Sequence, residues 1–274
     1  MQSVFYIDIS PVIIRIGDFK LEWYGVLIAL AVVTAVGWLF FENRRRRSLG
    51  DATLVLAVVI GLISGFIFAK LFHVIDHFSL YQQDPGRILS FEGWAVWGLV
   101  LGVVLGFWLY GKFSGRYRFT LLADMLAPGL ILGQAVGRIG CTINGCCYGL
   151  ETTSPLAVIY THPDSYAPLG IPVLPVTIFE ILFNLIVFGV LFSLRNKLRP
   201  RGALFLIYCT FYAAWRLGSD FMRDGTPFLG GLHEAQVIAL IVMLAGLSLI
   251  VFKVRWASSS SLSEVSKGSG VRMM

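Results

Sequence analysis

Seven apolar stretches alternate with shorter polar segments along the 274-residue chain, at roughly 21–41, 53–72, 94–113, 119–137, 177–194, 203–221 and 233–253. Each is long enough, or nearly so, to cross about 30 Å of hydrocarbon as a helix. The fourth carries Asp124, Pro128 and Gln134, and the sixth ends in Arg216, Asp220 and Arg223, so these two are the least uniformly apolar. Pro128 and Gly129 are expected to kink or loosen the fourth, opening a lateral route for lipid. Two intervening segments are longer than turns. Residues 73–93, with His73, Asp76, His77, Asp84, Pro85 and Glu92, have room for an interfacial helix. Residues 150–176 set Pro155, Pro163, Pro168, Pro172 and Pro175 around the β-prone run Ala157-Val-Ile-Tyr160, which predicts a small cap. The pattern predicts an all-α membrane protein with one transmembrane domain over 1–256 and loop regions at about 73–93 and 138–176. The Ser-, Gly- and Lys-rich tail, 257–274, reads as disordered. No internal repeat is visible.

Composition agrees with a membrane class. Hydrophobic residues make up 57% and charged residues only 14%, where a soluble domain carries about a quarter. The net charge of +6 follows from basic residues in loops facing anionic lipid and implies no nucleic-acid partner. Met1 to Lys20 lacks a basic region followed by an apolar one, so no cleavable signal peptide is expected and the first apolar stretch stays in place.

The basic residues also give an orientation. Most of the 22 lysines and arginines follow the odd-numbered stretches: Arg44 to Arg47; Lys112, Arg116 and Arg118; Arg195, Lys197, Arg199 and Arg201; Lys253, Arg255, Lys267 and Arg272. The positive-inside rule then predicts seven transmembrane helices with the N-terminus outside, the C-terminus in the cytoplasm and the cap extracytoplasmic. Lys70, Arg138, Arg216 and Arg223 fall at the outer ends of different stretches, against that bias. An anionic headgroup in the outer leaflet would account for them.

The densest chemistry lies in Gly137-Arg-Ile-Gly-Cys-Thr-Ile-Asn-Gly-Cys-Cys-Tyr-Gly149. An arginine at the edge of lipid is costly unless an anion or polar network holds it. The glycines predict irregular backbone bent around a ligand. Arg138 is placed to grip phosphate or ester oxygens bidentately, with Asn144 and loop amides orienting the reacting group. The plainer reading is a glycine-rich loop with buried thiols.

Gly137-Arg-Ile-Gly140, then Asn144-Gly145 and Gly149, resembles the signature loop of the prolipoprotein diacylglyceryl transferase family. Ile9 to Gly17 with Trp23-Tyr24-Gly25 is similar to that family's N-terminal region. Leu174-Pro-Val-Thr-Ile-Phe-Glu180 resembles its His-Pro-Thr-Gln-Leu-Tyr-Glu segment, and Tyr212, Arg216, Asp220 and Arg223 resemble its Tyr-x3-Arg-x3-Glu-x2-Arg pattern. The resemblance covers most of the chain. It implies a bacterial inner-membrane, multi-pass enzyme with its active site towards the extracytoplasmic face. The implied reaction transfers the diacylglyceryl group of phosphatidylglycerol to a lipoprotein-precursor cysteine thiol, forming a thioether and releasing glycerol phosphate. The partners would be phosphatidylglycerol, the precursor's signal peptide and membrane lipids, with no cofactor and no metal. Arg138, Arg216, Tyr24, Asn144 and Cys146 are the candidate catalytic residues. Arg138, Lys70, Tyr212, Asp220, Arg223, Glu180, Trp97 and Gly149 are candidates for substrate binding, Asp220 by fixing an arginine.

The chain departs from the family pattern at several of its polar positions. Cys141-Thr142 stands where the family has Asn-Phe, Cys146 where it has Glu, and Lys70 where it has arginine. Trp97 stands where it has histidine; Leu174-Pro175 and Ile178 replace its His-Pro and Gln. For Cys141, Cys146 and Cys147 three readings stay open: a disulfide in an oxidising compartment, a thiolate beside Arg138, or a metal site, which lacks a nearby histidine. Two further functions are carried: a diverged transferase using Cys146 as nucleophile with another acceptor, and a non-catalytic phospholipid-binding paralogue. Among the remaining polar residues, His73 and His77 share a helical face beside Asp76, a spacing that suits zinc or a general base but more often marks interfacial residues, and His162 and His233 have no evident partner. Cys209 reads as packing, and Trp23 and Trp94 as interfacial belt residues.

Overall fold

The computed structural model describes residues 5–17, 19–89, 93–225, 228 and 230–256; the tail expected to be disordered lies outside these. In chain order the elements are β1 (Phe5–Ile7), β2 (Val12–Ile16), β3 (Phe19–Glu22), α1 (Trp23–Arg46), α2 (Asp51–Asp76), α3 (Phe78–Gln83), α4 (Val96–Ser114) and α5 (Phe119–Asn144). There follow β4 (Val158–Tyr160), β5 (Pro172–Val173), α6 (Val176–Leu194), β6 (Leu198–Arg199), α7 (Ala203–Ser219), α8 (Glu234–Lys253) and β7 (Arg255–Trp256), with 3-10 turns at Pro85–Leu89 and Asp220–Met222. The fold is mainly helical, as the apolar pattern predicts. Among the described residues α1, α2, α5, α6 and α8 are long and apolar enough to cross a membrane; α4 is apolar over the shorter Gly98–Ser114, and α7 has 17 residues.

The described residues pack as two compact units, one within 40–123 and the other within 5–39 and 124–256. In the first, α2 and α4 meet through small residues. A Cβ on Gly98 would strike the Phe68 carbonyl, one on Gly102 the Ser64 carbonyl, and one on Gly106 would lie 2.9 Å from the Ser64 Cβ. Spacing of four residues puts all three on one face of α4, so the helix backbones can touch. The segment 73–93 does hold a short helix, α3. Its Tyr81 hydroxyl lies 2.9 Å from His73 Nδ1, and the His73 and His77 rings stack with centroids 4.3 Å apart.

The second unit repeats the device between α1 and α5. A Cβ on Gly129 would sit 2.9 Å from the Ala35 carbonyl oxygen, one on Gly133 2.7 Å from that of Ala31, and one on Gly140 3.3 Å from the Tyr24 Cα. These glycines bring α1 against α5 and do not break the helix. The structure therefore corrects the expected loop: α5 runs through Pro128 and on to Asn144, and irregular backbone starts only at Gly145. On its other side α5 packs Ala127 and Ile131 against Val187 and Leu191 of α6 and Leu204 and Tyr208 of α7.

The polar residues that marked the fourth apolar stretch have local partners. The Asp124 carboxylate accepts the backbone N–H groups of Gly202 at 2.6 Å and Phe205 at 3.0 Å. It thereby caps two of the orphan donors that begin α7. Gln134 Nε2 donates to the Tyr208 hydroxyl at 3.0 Å.

The expected cap forms a three-stranded sheet in which β4 lies between β1, parallel to it, and β5, antiparallel. The hairpin β2–β3 is tied to the same region through Tyr166, whose hydroxyl donates to Glu22 at 3.1 Å. At the opposite ends of the helices, β6 pairs with β7.

The glycine contacts predict a contrast measurable by thermal unfolding in detergent. Gly133→Leu should destabilise the protein by about 1–3 kcal/mol, because a carbonyl of a packed helix cannot yield as a side chain can. Gly37→Ala, on the same α1 but with nothing within 4 Å of an added Cβ, should be neutral or stabilising by up to about 1 kcal/mol.

Candidate active site

The last two turns of α5 carry Arg138, Cys141, Thr142 and Asn144, and the first two turns of α6 carry Thr177 and Glu180. Thr177, Glu180 and Asn184 follow at i, i+3 and i+7, so they line one face of α6, and all three are buried. Thr142 Oγ1 lies 2.9 Å from both the Arg138 carbonyl and Thr177 Oγ1, which registers the two helices. The Tyr160 hydroxyl donates to the Thr142 carbonyl at 3.1 Å; burial pushes this phenol up to about 12, so it remains a neutral donor.

Glu180 is 2% exposed and lies between two guanidinium groups. Its Oε1 is 2.8 Å from Arg138 Nε and its Oε2 is 3.3 Å from Arg223 Nη2. A second carboxylate repeats the arrangement: Asp220 Oδ1 is 3.2 Å from Arg216 Nη2, and Asp220 Oδ2 is 3.2 Å from His233 Nδ1. The two groups are linked through the turn at 220–222, where the Arg223 N–H donates to the Asp220 carbonyl at 3.2 Å. His233 thus has the partner that the sequence did not reveal, and His162 Nδ1 accepts the Asp164 N–H at 3.2 Å. Three guanidinium groups against two carboxylates leave one positive charge in the set.

Gly149 holds this turn in place. Its N–H donates to Leu174 at 2.8 Å, and the N–H of Leu150 donates to the Met222 carbonyl at 2.8 Å. A Cβ on Gly149 would lie 2.6 Å from that Met222 oxygen, so only glycine lets the segment pass. Tyr24, in the first turn of α1, is part-exposed and within electrostatic reach of Arg138 and the three clustered cysteines. Tyr212 is within reach of Arg138 and stacks on Tyr208 with ring centroids 6.3 Å apart. Asn144 is 6% exposed, with no protein partner for Oδ1; Arg223 Nε is likewise buried without one. Lys70 and Trp97 belong to the other unit. Lys70 Nζ lies 5.5 Å from the ring centroids of both Tyr81 and Trp94; Trp97 stands in the first turn of α4, and its side chain lies outside the described residues.

Cys141, Cys146 and Cys147 converge although four residues separate the first from the second. Their sulfurs all lie within 4.8 Å of one another, and all are free thiols. Arg138 Nη1 is 3.7 Å from Cys141 Sγ. The turn that gathers them is unusual backbone: Gly145 has φ +74° and Cys147, a residue with a side chain, has φ +60°. Such conformations persist where surrounding structure holds them. The Cys147 thiol is held well below the usual range by hydrogen bonds from Cys141 and Cys146, aided by Arg138 and Arg223. The Cys146 thiol is pushed up by Cys141 and Cys147 and by burial. These directions make Cys147, and not Cys146, the more acidic thiol of the cluster.

A pH series of alkylation checks this order. With the protein freed of metal, iodoacetamide should label Cys147 at mildly acidic pH, where an ordinary thiol near 8.5 is protonated and slow. Cys146 should react only towards alkaline pH. Equal labelling of both, rising together around pH 8–9, would contradict the assignment.

Comparison with known proteins bears on this geometry. The family model for prolipoprotein diacylglyceryl transferase matches residues 11–252. A phosphatidylglycerol–prolipoprotein diacylglyceryl transferase of Dehalococcoides mccartyi is 41% identical over 252 residues, covering 92% of this chain and 96% of its own. Proteins carrying that description are 34% identical in Trichormus variabilis, covering 87% and 88%, and 32% identical in Clostridium perfringens, covering 86% and 92%. The chain belongs to the prolipoprotein diacylglyceryl transferase family.

Proposed function

We propose that this protein transfers the diacylglyceryl group of phosphatidylglycerol to the cysteine thiol of a lipoprotein precursor, forming a thioether and releasing glycerol phosphate. Family membership supports the reaction class. The observation that carries the reading for this chain is the set Arg138–Glu180–Arg223 with Arg216–Asp220. Its single residual positive charge matches the single negative charge of a phosphodiester headgroup. As the C–O bond to phosphate breaks, charge grows on the leaving phosphate. Guanidinium groups fixed in advance stabilise that charge without reorganising.

In this reading Arg138 and Arg216 bind the phosphate of substrate and leaving group. Glu180 and Asp220 are positioning residues that hold the guanidinium planes. Tyr24, Asn144 and Tyr212 orient the headgroup, and the buried Oδ1 of Asn144 can accept a glycerol hydroxyl. The seven helices α1, α2, α4, α5, α6, α7 and α8 all span the inner membrane, with the N-terminus and the cap outside. Support comes from the basic last turns of α1, α4 and α8 and from the pairing of β1 with β4, which gathers the N-terminus and the cap at one end of the second unit. The acceptor cysteine then arrives from the extracytoplasmic side on its signal peptide.

Arg138→Ala should lower transfer by at least about 10²–10³-fold while membrane insertion, judged by fractionation and protease accessibility, stays intact. Wild-type rates in that variant would defeat the proposal, as would failure of the wild-type chain to complement a strain depleted of its own transferase. Glu180→Gln should cost about 10²-fold through misplacement of Arg138 and Arg223, with restoration by Glu180→Asp smaller than full.

A further inference from the structure

Outside the arginine set stands one cluster that the proposed transfer, as described above, does not use. We propose that Cys141, Cys146 and Cys147 bind one thiophilic divalent cation of the Zn2+ class, with a fourth position open to the acceptor thiol; the role of that position rests on the transferase reading.

Three sulfurs within 4.8 Å of one another are close to the geometry such an ion needs. Tetrahedral Zn–S bonds of about 2.3 Å place sulfurs about 3.8 Å apart. The difference of roughly an ångström is within reach of side-chain rotation. Cys141 is anchored in the last turn of α5, and the turn beginning at Gly145 swings Cys146 and Cys147 back onto it: the Cys146 N–H donates to the Cys141 carbonyl at 3.1 Å. Gly145 takes φ +74°, and a Cβ there would lie 3.0 Å from the Ala167 N, so the turn favours glycine. Burial grades from Cys141, buried, through Cys146 to Cys147, exposed, which gives an ion an entry route.

Three thiolates on a divalent ion carry one negative charge, and the nearest cation to it is Arg138, whose Nη1 stands 3.7 Å from Cys141 Sγ. Among the described residues no fourth cysteine, histidine or carboxylate joins the set. Three protein ligands with an open position are the pattern of a reactive zinc site, whereas structural sites close with four. A thiol that coordinates such an ion is deprotonated outright. The acceptor thiol would release its proton to solvent on binding. Its sulfur then forms the S–C bond to the glyceryl carbon as the C–O bond to phosphate breaks, and the electron pair departs with glycerol phosphate. The ion does the work of the acid–base side chains that the family pattern has and this chain replaces.

The test uses the purified full chain in detergent, kept reduced by a phosphine and stripped by chelator, and titrated with Co2+. The expected result is one Co2+ per chain, with an intense thiolate-to-cobalt charge-transfer band that Zn2+ abolishes. Cys141→Ser, Cys146→Ser and Cys147→Ser should each weaken binding at least tenfold, and Cys209→Ser should leave it unchanged. A peptide carrying an acceptor cysteine should shift the visible cobalt bands, and its serine counterpart should not. Absence of the band in the wild-type chain, its survival in the Cys141→Ser/Cys147→Ser double variant, or a disulfide among the three in the isolated protein would overturn the site. An unshifted spectrum with the cysteine peptide would remove the acceptor from the fourth position. Because the titration needs no turnover, a missing band with intact transfer would sink the metal alone, and a full band without transfer would sink the transferase reading alone.

Discussion

Glu180 is the constraint from which the polar end of the second unit is built. A lone carboxylate with 2% exposure in an apolar bundle would be severely destabilising, as would two guanidinium groups facing each other without it. Together they satisfy one another, and the geometry of that satisfaction fixes where α5, α6 and the segment after α7 must meet. Removing one partner of such a set typically costs about 3–5 kcal/mol, because the others are left buried and uncompensated. The carboxylate thus does two things at once: it makes the arginines tolerable in the membrane and it aims them.

That arrangement relies on helices that can approach closely. Thr142 and Thr177 register α5 against α6, and the glycines of α5 let α1 lie on its backbone, which carries Tyr24 to the same end. In lipid, apolar surface gives helices little reason to associate, so small residues and interhelical hydrogen bonds have to supply it. Gly140 therefore serves packing, although beside an arginine and cysteines it looks like flexible backbone.

This is also where the sequence could be read and where it could not. The long apolar runs show themselves because the bilayer sets one length scale for all of them, and the cap appears in its prolines and a β-prone run. Asp124 and Gln134 were visible as anomalies in an apolar stretch, but their partners, Gly202 and Tyr208, are far along the chain. The same holds for His233, whose carboxylate is Asp220, and for Glu180, whose double pairing depends on Arg138 and Arg223 arriving from opposite sides. The three buried polar positions of α6 were readable from their spacing of three and seven. The loop expected from Gly137 onward was misjudged because glycine density signals bending in water, while between packed membrane helices it signals contact.

The cap has a consequence for biogenesis. Its first strand, β1, lies at the very beginning of the chain and pairs with β4, about 150 residues later. At a synthesis rate of about 5–20 residues per second, the leading segment must wait roughly 8–30 seconds before its neighbour exists. Throughout that interval the edge N–H and C=O groups of β1, which carries the exposed Phe5 and Tyr6, are without their strand partner. The sheet is thus completed only past the middle of translation, and a ribosome stalled before Val158 would leave a nascent chain that holds α1, α2, α4 and α5 but no assembled cap sheet.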